Sequence, residues 1–312
     1  MEPPRYWSRG VTETLPGLEV VIPAYNEAER LHLGLRTLTQ RLGTLPYPCS
    51  VVVVDNASTD GTARIARSWS SGSGPGGGPG NVPVRLISCP QPGKGAAVRA
   101  GLLATSAPLV GFCDADMATD LGVLERTVAL LAGGHPVVVG SREHHDSVVG
   151  GRDSLARGLG AIAFRAVARR VLPDVADTQC GFKFFLGSVG RTAARRLRCT
   201  GFAFDVELLA HCQRLGASVT EVPVWWQDVP GSRFSPLRHG LGSVREALRI
   251  RGTVRRQPLP PNGVPSCPVT TGVPAAYVSV RAHVPLQRQP EPSPQPAAAL
   301  RHSATVGESG RR

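Results

Sequence analysis

Four consecutive valines, Val51 to Val54, run into Asp55 with no polar residue among them. A strand with apolar side chains on both faces cannot lie in a sheet that leaves one face wet, so it must be covered on both sides. Helices packed over a mainly parallel sheet supply that cover, and this one segment therefore points to an α/β fold. The flanking sequence repeats the pattern. Leu18 to Pro23 is an apolar strand stopped by proline, and Asn26-Glu27-Ala28-Glu29 is expected to open a helix to about Gly43, its acidic first turn suiting the positive end of the dipole. Asn56 to Gly61 turns into another helix, with Ser58 or Thr59 as its expected cap. Strands at Val84–Ser88, Leu109–Cys113 and 136–140 alternate with helices at 93–104 and 121–131. In such sheets ligands bind beyond the carboxyl ends of the strands.

The second half is less regular. A basic amphipathic helix is expected over 152–171, a short strand over 181–186, a helix over 204–215, a strand over 219–223 and a last helix over 240–251. After Arg251 the chain becomes rich in Pro, Ser and Gln, and 252–312 reads as a disordered tail. The expectation is one domain over 18–251, preceded by an extension at 1–17; the Gly/Pro-rich stretch 70–80 reads as a surface loop.

The formal charge is +12, and Lys94 and Lys183 are the only lysines. Such a balance favours anionic partners, either phosphorylated molecules or an anionic membrane surface. Aromatics make up only 5% of the chain, too few for the stacking platform of a single-stranded nucleic-acid binder, so nucleic acid is not an expected partner. The seven cysteines form no CxxC pair, which argues against a zinc knuckle or a thioredoxin-like site. No apolar run reaches eighteen residues and 1–17 has no export-type apolar core. The expectation is a cytoplasmic protein without a membrane span, with helix 152–171 available for peripheral contact with an anionic membrane face.

Polar groups gather where the strands end. Asp114-Ala115-Asp116 follows an apolar strand, and two carboxylates so placed can reach one hard cation, Mg²⁺ or Mn²⁺; a solvated acidic turn is the alternative. Asp55 ends the neighbouring strand, where an acid can accept from a base or ribose or can simply serve the turn. Gln91-Pro92-Gly93-Lys94-Gly95 is either a structural turn or an anion contact, without the spacing of a P-loop. Arg142, Arg152 and Lys183 are picked from eleven basic residues between 142 and 198 as those meeting phosphate. Asp177-Thr178-Gln179-Cys180-Gly181-Phe182-Lys183 is dense enough in polar groups to suggest a site, with Cys180 a buried small residue. Asp205 and Glu207, two apart on a helix, cannot share a face, so at most one points at the cleft or supports a loop. Trp225-Trp226 is either a pocket wall or a structural lid, and His144, His145 and His211 show no ligand spacing.

In order, Val21-Ile22-Pro23-Ala24-Tyr25-Asn26-Glu27, Val54-Asp55-Asn56-Ala57-Ser58-Thr59-Asp60, Gly93-Lys94-Gly95, Asp114-Ala115-Asp116, Gly140-Ser141-Arg142, Asp177 to Lys183 and Phe204-Asp205-Val206-Glu207 resemble the motifs of the family 2 glycosyltransferases. Within them the likeness is to the dolichyl-phosphate β-glucosyltransferase group and its bacterial polyprenyl-phosphate relatives, over about 18–251. The resemblance implies the GT-A fold, a nucleotide-sugar donor, Mg²⁺ or Mn²⁺, and inversion by in-line attack. It implies that Pro23, Tyr25, Glu27 and Asp55 hold the nucleoside, that Asp114 and Asp116 hold the metal and diphosphate, and that Lys94, Arg142, Arg152 and Lys183 meet phosphates. Asp177 is then the base or the residue that positions the acceptor, which is a polyprenyl phosphate or a soluble molecule. Asn56 stands where the family has a second aspartate, a departure that bears on the choice of UDP or GDP. A nucleotidyltransferase and a non-catalytic nucleotide-binding protein are the competing readings.

Overall fold

The computed structural model describes residues 17–71, 82–151, 164–229, 246–250 and 252–258. A seven-stranded sheet carries the fold. Its strands are β1 (Leu18–Ala24), β2 (Cys49–Asp55), β3 (Val84–Ser88), β4 (Leu109–Cys113), β5 (Val137–Ser141), β7 (Phe182–Leu186) and β8 (Val219–Pro223), in the spatial order β3-β2-β1-β4-β7-β5-β8. A second, two-stranded sheet pairs β6 (Val148–Gly150) with β9 (Trp225–Gln227).

Every neighbouring pair in the large sheet is parallel except those made by β7, which runs antiparallel to both β4 and β5. The consequence is positional. Strands β1, β2, β4 and β5 end at one edge, whereas β7 begins there, so the residues preceding β7 arrive beside the residues following its neighbours. Cys113 pairs with Phe182 and Val139 with Lys183, which places Gly181 next to Asp114.

Val51 to Val54 have no exposed surface. Burying each contributes about 1.5–3 kcal/mol, which fixes β2 in the interior. Helices α1 (Leu31–Leu42), α2 (Thr62–Ser70), α3 (Lys94–Leu103), α4 (Leu124–Ala132), α5 (164–171), α6 (Gly187–Arg196) and α7 (Phe204–Arg214) accompany the sheet. On α1 the buried Leu31, Leu35, Leu38 and Leu42 recur at helical spacing and form its apolar stripe.

Several local expectations change. Helix α1 starts at Leu31 rather than Asn26, because Asn26 sits at φ 53° and cannot begin a right-handed helix. Its first turn therefore has no acidic residue. Ser58 and Thr59 do not cap α2. The Ser58 hydroxyl accepts from Asn26 N at 3.1 Å, Thr59 N donates to Asn26 Oδ1 at 2.8 Å, and Asp60 accepts from the Thr62 amide at 2.9 Å. These residues lock the turn after β1 to the turn after β2. Helix α6 lacks a sequence signal of its own, since its buried face is made of Gly187, Val189, Gly190, Thr192, Ala193 and Ala194. Packing also continues beyond Arg251. Residues 252–256 are helical, Val254 is buried, and Arg214 donates to the Gln257 carbonyl at 2.9 Å. The expected helix over 152–171 is observed from 164 onward; 152–163 lie outside the described residues.

Candidate active site at the carboxyl edge of the sheet

Among the described residues, three that are not glycine have positive φ: Asn26 at 53°, Ala57 at 56° and Met117 at 50°. They follow β1, β2 and β4 respectively. Left-handed backbone at non-glycine positions is held only where surrounding structure over-determines it, and it clusters at functional sites. Here it marks the sheet edge toward which the polar sequence motifs converge.

Asp55, the last residue of β2, is buried, and its Oδ1 has no hydrogen-bond partner among the described residues. Tyr25, one residue past β1, is half exposed and leaves its ring open to solvent. Pro23 is half-buried within β1. Glu27 is committed differently from expectation. Both of its carboxylate oxygens accept from Arg30, at 2.8 and 2.9 Å, while its backbone amide donates to the Thr62 hydroxyl.

Asp114 lies between two neighbours. Its amide donates to the Gly181 carbonyl at 3.1 Å, and its Oδ1 is 2.5 Å from the Lys94 ammonium. Asp116 Oδ1 accepts from the Ala118 amide at 3.2 Å. Burial, followed by the charge of Asp114, raises the Asp116 pKa above the ordinary aspartate value. Two carboxylates thus stand together with one lysine beside them, a hard-oxygen donor set that fits Mg²⁺ or Mn²⁺. Burial alone would lower the Lys94 pKa, but Asp114, Asp205 and Asp116 raise it and keep the ammonium charged. The loop before Lys94 resolves the choice between turn and anion cradle. Gly93 has φ 116°, a side chain there would collide with the Thr200 backbone, and the Gly95 amide donates to the Thr200 carbonyl at 2.8 Å. The glycines serve close packing, and Lys94 is the group of this motif that reaches the edge.

Arg142 follows β5 and grips Asp177. Its Nε is 2.6 Å from Oδ2, its Nη2 donates to Oδ1 at 2.9 Å, and its own amide donates to Oδ2 at 3.0 Å. Burial would raise the Asp177 pKa, but the Arg142 charge and hydrogen bonds outweigh it and hold the carboxyl well below the usual carboxylate range. Two of the five N–H donors of Arg142 are used in this side-chain pair, and the guanidinium carbon lies 5.5 Å from the centroid of the Trp226 ring. Trp226 joins Asp114, Met117, Thr119 and Gly181 in lining a small recess beside the pair. It is both a wall and a structural element, since it sits in β9 and bridges Thr119.

The expectation for Lys183 requires correction. It lies inside β7 with no exposed surface; its ammonium is 2.7 Å from Asp205 Oδ1 and donates to the Cys180 carbonyl at 2.5 Å. No face of it opens to a phosphate. It ties the loop carrying Asp177 to the start of α7. Asp205 therefore sits beneath the site, while Glu207 accepts from the Arg198 and Cys199 amides at 3.1 and 2.6 Å and supports the loop between α6 and α7. Cys180 is fully buried, and burial raises its thiol pKa. Asn56 is structural: its amide group donates to the carbonyls of Cys89 and Gln91 and accepts from the Gly93 amide. Arg152 lies outside the described residues.

One further residue belongs to the site without any expectation from sequence. Glu221, on β8, accepts from the amides of Ala176 and Asp177, both at 2.9 Å, and so fixes the loop from which Asp177 projects. A single acid inside the strand Val219–Pro223 was the available signal.

The sequence profile of glycosyl transferase family 2 matches residues 19–188, which contain the Asp55, Lys94, Asp114–Asp116, Arg142 and Asp177 positions. The chain belongs to glycosyl transferase family 2. This glycosyltransferase is 32% identical to the dolichyl-phosphate beta-glucosyltransferase of Drosophila melanogaster, over 76% of this chain and 76% of that one. It is 30% identical to the human enzyme of the same name, over 78% and 80% of the two chains. Among solved structures, it shares its fold with glucosyl-3-phosphoglycerate synthase of Mycobacterium tuberculosis. The form of that enzyme in complex with Mn²⁺ and UDP-glucose gives TM-score 0.54 at 21% identity, covering 76% of this chain and 79% of that one. The form with Mg²⁺ and UDP gives 0.55 at 21% identity, covering 81% and 86%. The α/β architecture expected from the valine strand is thus that of this glycosyltransferase fold, GT-A.

Proposed function

We propose that this glycosyltransferase moves a hexose, glucose or mannose, from a UDP- or GDP-sugar to a polyprenyl phosphate, with inversion at the anomeric carbon. The observation that carries the reading is the placement of two carboxylates, Asp114 and Asp116, between the buried Asp55 oxygen that lacks a partner among the described residues on one side and the Arg142–Asp177 pair on the other. A nucleotide-sugar laid along that edge meets a hydrogen-bond acceptor for its base or ribose, then groups matched to its diphosphate, then the acceptor's approach.

Tyr25 and Asp55 hold the nucleoside, and Pro23 shapes the floor beneath it. Glu27 acts by fixing Arg30. Asp114 and Asp116 are the residues that would hold Mg²⁺ or Mn²⁺, which would offset charge on the departing diphosphate. Lys94 places a second positive charge at the same point. In the transfer, an acceptor oxygen bonds to the anomeric carbon from the face opposite the diphosphate; the bond to the diphosphate oxygen breaks, and that oxygen keeps the electron pair. A phosphate acceptor is already ionised near neutral pH and needs no strong base. Asp177 suits that demand, because a carboxylate clamped by Arg142 orients an acceptor better than it removes a proton. The three remaining N–H donors of Arg142 are available to the acceptor phosphate. Similarity to the dolichyl-phosphate enzymes supports the lipid acceptor. No helix among the described residues is long and apolar enough to cross a membrane. The lipid phosphate would therefore be met by these residues at a membrane surface.

The test is a matrix of UDP- and GDP-sugars assayed with polyprenyl phosphate in detergent and with detergent alone, with and without Mn²⁺. Metal-dependent formation of a glycosylated lipid phosphate with release of nucleoside diphosphate is expected. Release of pyrophosphate, or turnover indifferent to the lipid, would overturn it.

A further inference from the structure

Beyond β5 the chain leaves the large sheet through Arg142-Glu143-His144-His145-Asp146-Ser147 and enters β6 of the two-stranded sheet. Among the described residues, His144, His145 and Asp146 are the one group of three metal-ligating side chains whose ligand atoms all lie within 4.8 Å of one another. His145 Nε2 is 3.2 Å from Asp146 Oδ2, and His144 Nδ1 is 3.9 Å from it. The two imidazoles stack, with centroids 4.4 Å apart and planes inclined by 23°.

These separations suit a particular class of ion. Zinc bound tetrahedrally by imidazole nitrogen and carboxylate oxygen, at roughly 2.0–2.1 Å from each, spaces its ligand atoms about 3.4 Å apart. The two distances to Asp146 Oδ2, 3.2 and 3.9 Å, lie on either side of that spacing. Imidazole donors favour borderline transition metals, whereas Mg²⁺ and Mn²⁺ favour the all-oxygen set at Asp114 and Asp116. We propose that the His144–His145–Asp146 turn is a binding site for a single transition-metal ion of the Zn²⁺ class, separate from the carboxylate pair at the end of β4. Three protein ligands leave one tetrahedral position for water or an outside group.

The turn is anchored on either side. The Ser147 hydroxyl donates to the Ser141 carbonyl at 2.6 Å and accepts from the Val224 amide at 2.9 Å, the Ser147 amide donates to the His144 carbonyl at 3.0 Å, and Arg165 pairs with Glu143 at 2.5 Å. Among the described residues, one protein contact has to yield, the hydrogen bond from the Asp146 amide to His144 Nδ1. At 3.2 Å it lies at the long end of the normal range and is readily exchanged for a metal bond. His145 and Asp146 are mostly exposed, so an ion has a route in. The turn and the carboxylate pair share no residue.

The experiment uses the full chain with excess Mg²⁺ present, titrated with Co²⁺ and followed by visible absorption, then with Zn²⁺ by calorimetry. One Co²⁺ per chain with the intense band of a tetrahedral nitrogen-ligated centre, displaced by Zn²⁺, is expected. His144→Gln/His145→Gln should weaken binding by about tenfold or more, and Asp146→Asn should weaken it less. Asp114→Asn/Asp116→Asn should leave it unchanged. No binding, or binding that survives the double histidine change, or binding lost with the aspartate pair instead, would each overturn the assignment.

Discussion

Gly181 and Asp114 meet where β7 begins and β4 ends: the Asp114 amide donates to the Gly181 carbonyl at 3.1 Å, and a Cβ on Gly181 would overlap the Asp114 carboxylate. The absence of a side chain at 181 therefore sets the rotamer of the first aspartate of the pair. Gly181→Ala should turn that carboxylate away while leaving the sheet intact. The Mn²⁺ concentration giving half-maximal turnover should rise about tenfold, with little change in the thermal midpoint. An unchanged metal requirement would remove Asp114 from the proposed metal set.

The Arg142–Asp177 pair yields a prediction on stability and another on turnover. Breaking a buried pair by neutralising one partner costs about 3–5 kcal/mol, so Asp177→Asn should lower unfolding free energy at neutral pH by an amount at the low end, because Arg142 is partly exposed. Since the folded-state pKa of Asp177 is depressed, its contribution is complete above the unfolded value of about 3.9 and declines as pH falls toward the folded value. Denaturant titrations should thus show wild type and variant converging in acid. Turnover by the variant should be abolished while donor binding persists; a near-normal rate would reject Asp177 as the acceptor-positioning group.

Much of this edge was legible in the sequence because parallel strands deliver their carboxyl ends to one place. Asp55, Asp114 and Arg142 each follow an apolar run, and alternation alone brings them together. The reversal of β7 was not legible. Phe182–Leu186 has the same apolar pattern whichever way it runs, so its direction depends on tertiary pairing. Lys183 was misplaced for a related reason: a lysine in a motif rich in polar groups reads as solvent-facing until Asp205, distant in sequence, is brought to it. Helix α6 was missed because glycine, alanine and threonine supply a buried face too small to register as an apolar stripe.

Lys183 and Asp205 make a prediction that separates a structural pair from a phosphate ligand. Lys183→Met leaves the Asp205 carboxylate buried without its partner and should cost about 3–5 kcal/mol. Adding Asp205→Leu removes the orphaned charge and should restore much of that stability, measured as a double-mutant cycle. In the double variant the KM for the nucleotide-sugar should stay close to wild type while kcat falls, because the Asp177 loop has lost its tie to α7. A double variant as unstable as the single one, or a large rise in donor KM, would return Lys183 to the role of a phosphate contact.

Asn56 stands where the motif it resembles carries an aspartate, and the structure gives that exchange a physical cost that can be measured. Its side-chain nitrogen donates to two backbone carbonyls, Cys89 at 3.2 Å and Gln91 at 2.7 Å, while its oxygen accepts from the Gly93 amide at 2.9 Å. An aspartate can satisfy only the last of these. Asn56→Asp would set a buried carboxylate against two carbonyl oxygens and should destabilise the protein by about 2–4 kcal/mol. The Gln91–Gly93 loop should shift with it, loosening the Lys94–Asp114 contact and raising the donor KM for UDP- and GDP-sugars by similar factors. Equal factors are the informative outcome, because both polar atoms of the Asn56 amide are engaged by the Cys89–Gly93 loop. A stable Asn56→Asp variant whose preference moved from one nucleoside to the other would place this side chain in the base pocket instead.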